Sequence, residues 1–171
     1  MTTLGHPQPI CAYVALGSNL GDRLALMQAA LDQLACNALC VRKVSPIYQN
    51  RAMGMGDEAE PFLNAIVEVE TSFDPHQLLD HCLDVEQQLG RVRTGEWVPR
   101  SIDLDVIAYG DEEILSDRLH VPHPRIAERD FVVHPLNSIA PNLVIRGQHV
   151  EQLAAKLPMD ALTLLEDRLK F

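Results

Sequence analysis

The chain has 171 residues, 47% hydrophobic and 22% charged, a length and balance that suit one water-exposed domain with a real core. Its formal net charge of −10 argues against a surface built for nucleic acid or an anionic membrane. No apolar run approaches the ~20 residues that a membrane-spanning helix requires.

Residues 1–10 are polar, carry Pro7 and Pro9, and lack the basic-then-apolar order of a signal peptide. They read as a loose tail, leaving 11–171 as a single domain. Cys11, Cys36, Cys40 and Cys82 are scattered, with no Cys-x-x-Cys pair, so buried reduced thiols and a cytoplasmic location are expected. Residues 12–17 form a short apolar run closed by Gly17-Ser18-Asn19, the pattern of a strand ending in a turn. Leu20, Leu24, Met27, Leu31 and Leu34 then recur at helical steps. Residues 40–50 read as a second strand, and 51–61, with two glycines and a proline, as a loop. In 62–71 the alternation puts Leu63, Ala65, Val67 and Val69 on one face and Phe62, Asn64, Ile66, Glu68 and Glu70 on the other.

Asp74-Pro75 starts a helix as a cap followed by proline at the first helical position. Its stripe is Leu78, Cys82, Val85 and Leu89, and Gly90 ends it. A polar loop follows at 91–100, then a strand over 101–109. Beyond Pro122 short helical and extended pieces mix, with helix expected at 150–157 and 162–169. Strand, helix, strand, strand, helix, strand is the order of the ferredoxin-like βαββαβ plan. The predicted fold class is therefore α+β, a mostly antiparallel sheet with helices packed on it.

In the strand at 101–109, Ile102, Leu104, Val106 and Ala108 share one face, and Asp103, Asp105, Ile107 and Tyr109 the other. Two carboxylates ~6–7 Å apart at Cα repel unless a cation neutralises them, and oxygen ligands suit magnesium. An exposed polar face is the alternative reading. Arg91, Arg93, Arg100, Arg118, Arg125 and Arg129 follow a stretch, residues 52–90, that holds no Lys or Arg. Arginine rather than lysine suits fork-like contact with phosphate, although solvated arginines balancing local acids would look the same. Arg100 beside the acid pair is either a salt-bridge partner or a phosphate clamp. His120, His123 and His134 lack zinc-ligand spacing, and a phosphate-contacting or structural histidine fits better. Gly17-Ser18-Asn19-x-Gly21 serves either an anion cradle or a tight turn.

Four stretches together resemble the 6-hydroxymethyl-7,8-dihydropterin pyrophosphokinases of folate biosynthesis. They are Ala15-Leu-Gly-Ser-Asn-Leu-Gly-Asp22, Phe62-Leu-Asn-Ala-Ile-Val67, Gly90-Arg-Val-Arg93 leading to Pro99-Arg-Ser-Ile-Asp-Leu-Asp105, and Val121-Pro-His-Pro-Arg-Ile-Ala-Glu-Arg-Asp-Phe131. The resemblance covers residues 11–142. It implies transfer of pyrophosphate from ATP to the pterin hydroxymethyl group, releasing AMP, with two magnesium ions on Asp103 and Asp105. It implies catalytic roles for Arg91, Arg100, Asp103 and Asp105, and nucleotide contacts from Glu86, Arg91, Trp97, Arg100, Arg118, His123 and Arg129. Pterin contacts would come from Asn50, Met53, Phe62, Asn64, Asp103 and Phe131, with the two phenylalanines sandwiching the ring. Loops at 50–60 and 91–98 would close over the reaction. A monomer is expected, binding only small molecules. The chain departs from the family's usual pattern at Asn50-Arg51-Ala52, where a Pro-containing run is common, and at Glu96-Trp97-Val98, where Arg-Trp-Gly is common. A non-catalytic relative that binds pterin or nucleotide, and a magnesium-dependent phosphohydrolase, are the competing readings.

Overall fold

The computed structural model describes residues 8–51, 58–90 and 102–171. In chain order the elements are β1 (Ile10–Ser18), α1 (Arg23–Leu34), β2 (Leu39–Val44), β3 (Tyr48–Asn50), β4 (Phe62–Thr71), α2 (Pro75–Gln88) and β5 (Asp103–Tyr109). After these come β6 (Ile114–Leu115), β7 (His120–Val121), α3 (Asp130–Ile139), β8 (Val144–Ile145), β9 (Gln148–His149), α4 (Val150–Ala155) and β10 (Thr163–Leu164). The main sheet runs β10-β3-β4-β1-β5, with β2 also pairing with β4. All its ladders are antiparallel, so the α+β reading holds. The βαββαβ order holds with β2 and β3, which both pair with β4, as two pieces of its second strand.

Local chemistry explains the boundaries. Asp74 accepts a hydrogen bond from the Gln77 amide while the Gln77 side chain accepts one from the Asp74 amide, a reciprocal cap that satisfies two helix-end donors. The α1 cap is Asp22, accepting from Ala25 N at 3.1 Å. That cap starts α1 two residues after Gly21, which holds φ +72°, and leaves Leu20 outside the helix and 48% exposed. Leu20 is thus not part of the helical stripe. Nor is 40–50 one strand. Pro46 has no amide to donate to a ladder, and the chain breaks between β2 and β3, where the Ser45 hydroxyl accepts from Ile66 N at 2.8 Å.

The sheet separates two apolar layers. On one side Leu16, Leu63, Val67 and Leu104 meet Met27, Leu31 and Leu34 of α1 and Leu78, Cys82 and Val85 of α2. On the other, Tyr13, Ile66, Ile107 and Ala108 meet Val132, Val133 and Leu136 of α3 and Val150 and Leu153 of α4. The β1–β5 register shifts between Tyr13 and Val14. This bulge inserts an extra residue into β5 and reverses its alternation. Consequently Ala108 joins the α3 layer and Tyr109 the α1–α2 layer, the opposite of strict period two. Tyr109 there donates its hydroxyl to Phe73 O at 2.7 Å.

Two further expectations fail. Residues 162–169 are not helical: Thr163 and Leu164 pair with Gln49 and Tyr48, and Leu165 N donates to Ile47 O. Leu162, Leu165 and Leu169 have helical spacing, but the open β3 edge offers ladder partners, and Leu169 is buried without a helix. The thiols are free as expected, yet Cys11, Cys36 and Cys40 are exposed and only Cys82 is buried. The three sit at solvent-facing strand or turn positions, where backbone alternation decides burial.

Candidate active site

β1 is an interior strand, hydrogen-bonded to β4 on one side and β5 on the other. Its Ala15 and Gly17 are nonetheless partly exposed, because α3 and α4 cover only part of that face. The register builds two rows across the opening: Asn64–Gly17–Asp103, and beside it Ile66–Ala15–Asp105. Both aspartates are half-buried and flank a floor of small residues. A Cβ placed on Gly17 would lie 3.7 Å from Asn64 Oδ1 and 4.0 Å from Asp103 Cβ. Glycine therefore keeps the trough between amide and carboxylate open.

The Asn64 amide is oriented by its neighbours. Its Nδ2 donates to Asn50 Oδ1 at 2.6 Å and to Tyr48 O at 3.5 Å. A main-chain carbonyl can only accept, so the NH₂ faces β3 and the Oδ1 is turned over Gly17. Phe62, two residues before Asn64, lies on the same sheet face by alternation and is half-buried. Phe131 is in the first turn of α3, also half-buried, with the Arg129 guanidinium 5.8 Å from its ring centroid. Aromatic groups from β4 and from α3 thus stand on the side of the sheet where the aspartates lie.

The outer edge of β5 is held from two directions. Glu86 of α2 is only 2% exposed, and its Oε1 accepts from Leu104 N, between the two aspartates, at 2.8 Å. His123 N donates to Ile107 O at 3.0 Å, setting the imidazole beside β5. That ring accepts at Nδ1 from Arg125 N at 3.2 Å and meets Arg129 Nη1 at 3.4 Å through Nε2. Burial first, then the charges of Arg129, Arg125 and Arg146, depress its pKa to about 4, against a smaller opposing pull from Asp103. The ring is therefore neutral near pH 7, a hydrogen-bonding group rather than a cation. Arg118 is exposed and paired with Asp80 of α2, and among the described residues no hydrogen bond or ion pair joins it to those above. Met53, Arg91, Trp97 and Arg100 lie outside the described residues, as does Arg93.

Among the described residues no group of three or more His, Cys, Asp or Glu is arranged to hold a metal. Two half-exposed carboxylates on one face remain. That donor set fits magnesium, which binds through one or two carboxylates and completes its shell with water and phosphate oxygens.

One residue of the arrangement is not singled out by the sequence, and another is left between two roles. Gly17 reads there, with Ser18 and Asn19, as either an anion cradle or a tight turn, and only the register shows it spacing Asn64 from Asp103. Arg146 lies beyond the motif-bearing stretch, where the sequence singles out no functional residue.

One face of an antiparallel α+β sheet thus carries a half-open polar row, paired acids and two aromatic side chains, an arrangement of the size and polarity that suits a small molecule. Residues 13–141 match the model of the 7,8-dihydro-6-hydroxymethylpterin-pyrophosphokinase family, and the chain belongs to that family. It is 42% identical over 156 residues to the 2-amino-4-hydroxy-6-hydroxymethyldihydropteridine pyrophosphokinase of Methylorubrum extorquens, covering 91% of this chain and 98% of that one. The Bacillus subtilis protein of the same name is 42% identical over 150 residues, covering 87% of this chain and 85% of its own. In fold it is similar to Plasmodium falciparum HPPK-DHPS crystallised with pterin and p-hydroxybenzoate, with a TM-score of 0.68 at 15% identity over 90% of this chain. This chain spans 45% of that longer protein, and at such identity the likeness speaks for the fold alone.

Proposed function

We propose that this pyrophosphokinase transfers the terminal pyrophosphoryl group of ATP to the hydroxymethyl oxygen of 6-hydroxymethyl-7,8-dihydropterin, yielding the pterin diphosphate and AMP for folate biosynthesis. The observation that carries this reading is the row Asn64–Gly17–Asp103 with Asp105 beside it. It sets a fixed hydrogen-bond acceptor and a carboxylate pair at opposite ends of one trough.

A flat heteroaromatic ring with N–H donors on one edge suits that trough. Asn64 Oδ1, held by Asn50 and the Tyr48 carbonyl, accepts from the edge, and Phe62 and Phe131 contribute stacking area. In this pose the far end of the substrate, its hydroxymethyl group, would lie toward Asp103. Asp103 and Asp105 are the residues that would hold two magnesium ions. When bound, magnesium neutralises phosphate charge and stabilises the charge that develops on the transferring group. His123 and Arg129 present a neutral imidazole and a guanidinium for phosphate or nucleotide contact, and Glu86, which also accepts from the Leu104 amide, belongs to the nucleotide side by resemblance. Arg91, Arg100, Trp97 and Arg118 on the nucleotide side, and Met53 on the pterin side, complete the set by resemblance.

A product assay with purified protein, ATP, magnesium and the dihydropterin tests this. AMP appearing only with the pterin present is the expected result. Saturable pterin binding without AMP would make the chain a binding protein, and inorganic phosphate released without pterin would make it a phosphohydrolase.

A further inference from the structure

The hairpin of β8 and β9 turns through Arg146 and Gly147, with φ +49° and +77°. Two successive positive values define the tight hairpin turn that favours Asn-Gly or Gly-Gly. Among the described residues Arg146 is the non-glycine residue in the left-handed region, where a Cβ crowds the following carbonyl. Local backbone preference thus opposes arginine at this position.

What the side chain reaches offers a reason. Arg146 Nη1 donates to Pro124 O and Nη2 to Pro122 O, each at 3.4 Å. These carbonyls belong to the residues on either side of His123. The two guanidinium nitrogens therefore straddle His123 along the backbone, in the fork geometry that lysine lacks. On its other side His123 is fixed by its amide to Ile107 O and by Arg125 N to its Nδ1. Proline supplies no amide donor, so neither Pro122 nor Pro124 can tie this segment down through its own nitrogen. Arg146 provides the outward anchor. It lies beyond residues 13–141, the part that matches the family.

We propose that Arg146 is a positioning residue: its guanidinium clamps the Pro122–Pro124 backbone and so aims His123 at the nucleotide. The inference rests on the nucleotide-side role of His123 given above. It assigns the C-terminal hairpin a part in substrate binding.

Arg146→Gly separates this role from a structural one. Glycine relieves the positive-φ strain, so the variant is expected to unfold at equal or higher urea concentration than the wild type. Losing the clamp should nevertheless raise the KM for ATP about threefold to tenfold, with kcat and the KM for pterin close to wild type. Arg146→Lys, one donor group in place of a fork, should recover only part of the ATP affinity. In a His123→Ala background Arg146→Gly should have no further effect on the KM for ATP. An unchanged KM for ATP in Arg146→Gly overturns the proposal. So does an effect that persists undiminished without His123, which would mean that Arg146 acts on the nucleotide by itself. A wild-type enzyme that forms no AMP would instead remove the functional reading, an outcome distinguishable from either of these.

Discussion

The two faces of the sheet use the same strands for opposite ends. Toward α1 and α2 the inward side chains of β1 and β4 are aliphatic through Leu16 and Val69, and Leu16, Leu63, Ala65, Val67 and Val69 are all at most 3% exposed. Toward α3 and α4 the cover is partial, and Ala15, Gly17, Asp103 and Asp105 stay in contact with solvent. The α3–α4 layer buries that face around Ile66, Ile107 and Ala108 and leaves the row beside it open, while the α1–α2 layer covers the other face. Burial in both layers contributes to stability, and the polar row at the border of the second is available for chemistry.

Substitutions on the two faces should therefore separate activity from stability. The largest change is expected from Asp105→Ala on the open face, a loss of roughly 10²–10³ or more in kcat as charge stabilisation disappears. Its urea midpoint should stay near that of the wild type, and wild-type turnover would detach Asp105 from the chemistry. Leu31→Ala on the closed face reverses the pattern. Leu31 is 1% exposed in the α1 layer, so truncation should cost about 2–5 kcal/mol in denaturant unfolding. The KM values of the fraction that remains folded should be unaltered. If pterin affinity fell with stability, the two faces would be coupled rather than independent.

Phe131→Ala, at the border of the opening, should weaken pterin binding by roughly 1–3 kcal/mol through lost stacking and burial. Pterin fluorescence titration reads this directly, and an unchanged Kd would place the ring elsewhere. The weakest effect belongs to pH. The folded-state pKa of His123 is about 4, below the ordinary 6.5. Between those values the unfolded chain binds a proton that the folded chain refuses, so stability should decline as pH falls from about 6.5 toward 4. His123→Asn should flatten that part of the curve. The ring is only half-buried, and solvent screening keeps the slope modest. An identical slope in the variant would assign it to other groups.

Much of this was legible from local pattern. The alternation of 62–71 survives intact, because both faces of β4 meet apolar layers and a one-residue slip would expose one of them. The Asp74-Pro75 start and Gly90 stop of α2 hold because caps are local hydrogen-bond chemistry. The acid pair was readable for the same reason: residues two apart on a strand share a face whatever lies above them. α3 was harder. Pro135 sits inside it, and proline interrupts the helical signal, yet burial of Val132, Val133 and Leu136 against the sheet outweighs one lost hydrogen bond. Residues 162–169 erred in the other direction, a helical spacing overruled by the free edge of β3.

Composition, alternation and caps thus determined the α+β class, the strand–helix order and the common face of Asp103 and Asp105. They depend on contacts only a few residues apart, which any sequence window contains. Tertiary structure alone decided that Gly17 lies between Asn64 and Asp103, that a bulge exchanges the faces of Ala108 and Tyr109, and that Glu86 takes the amide between the two aspartates. It also brought Arg146 to the carbonyls around His123. Each of these is set by register or packing between segments far apart in the chain, where the partner of a hydrogen bond is chosen by the fold.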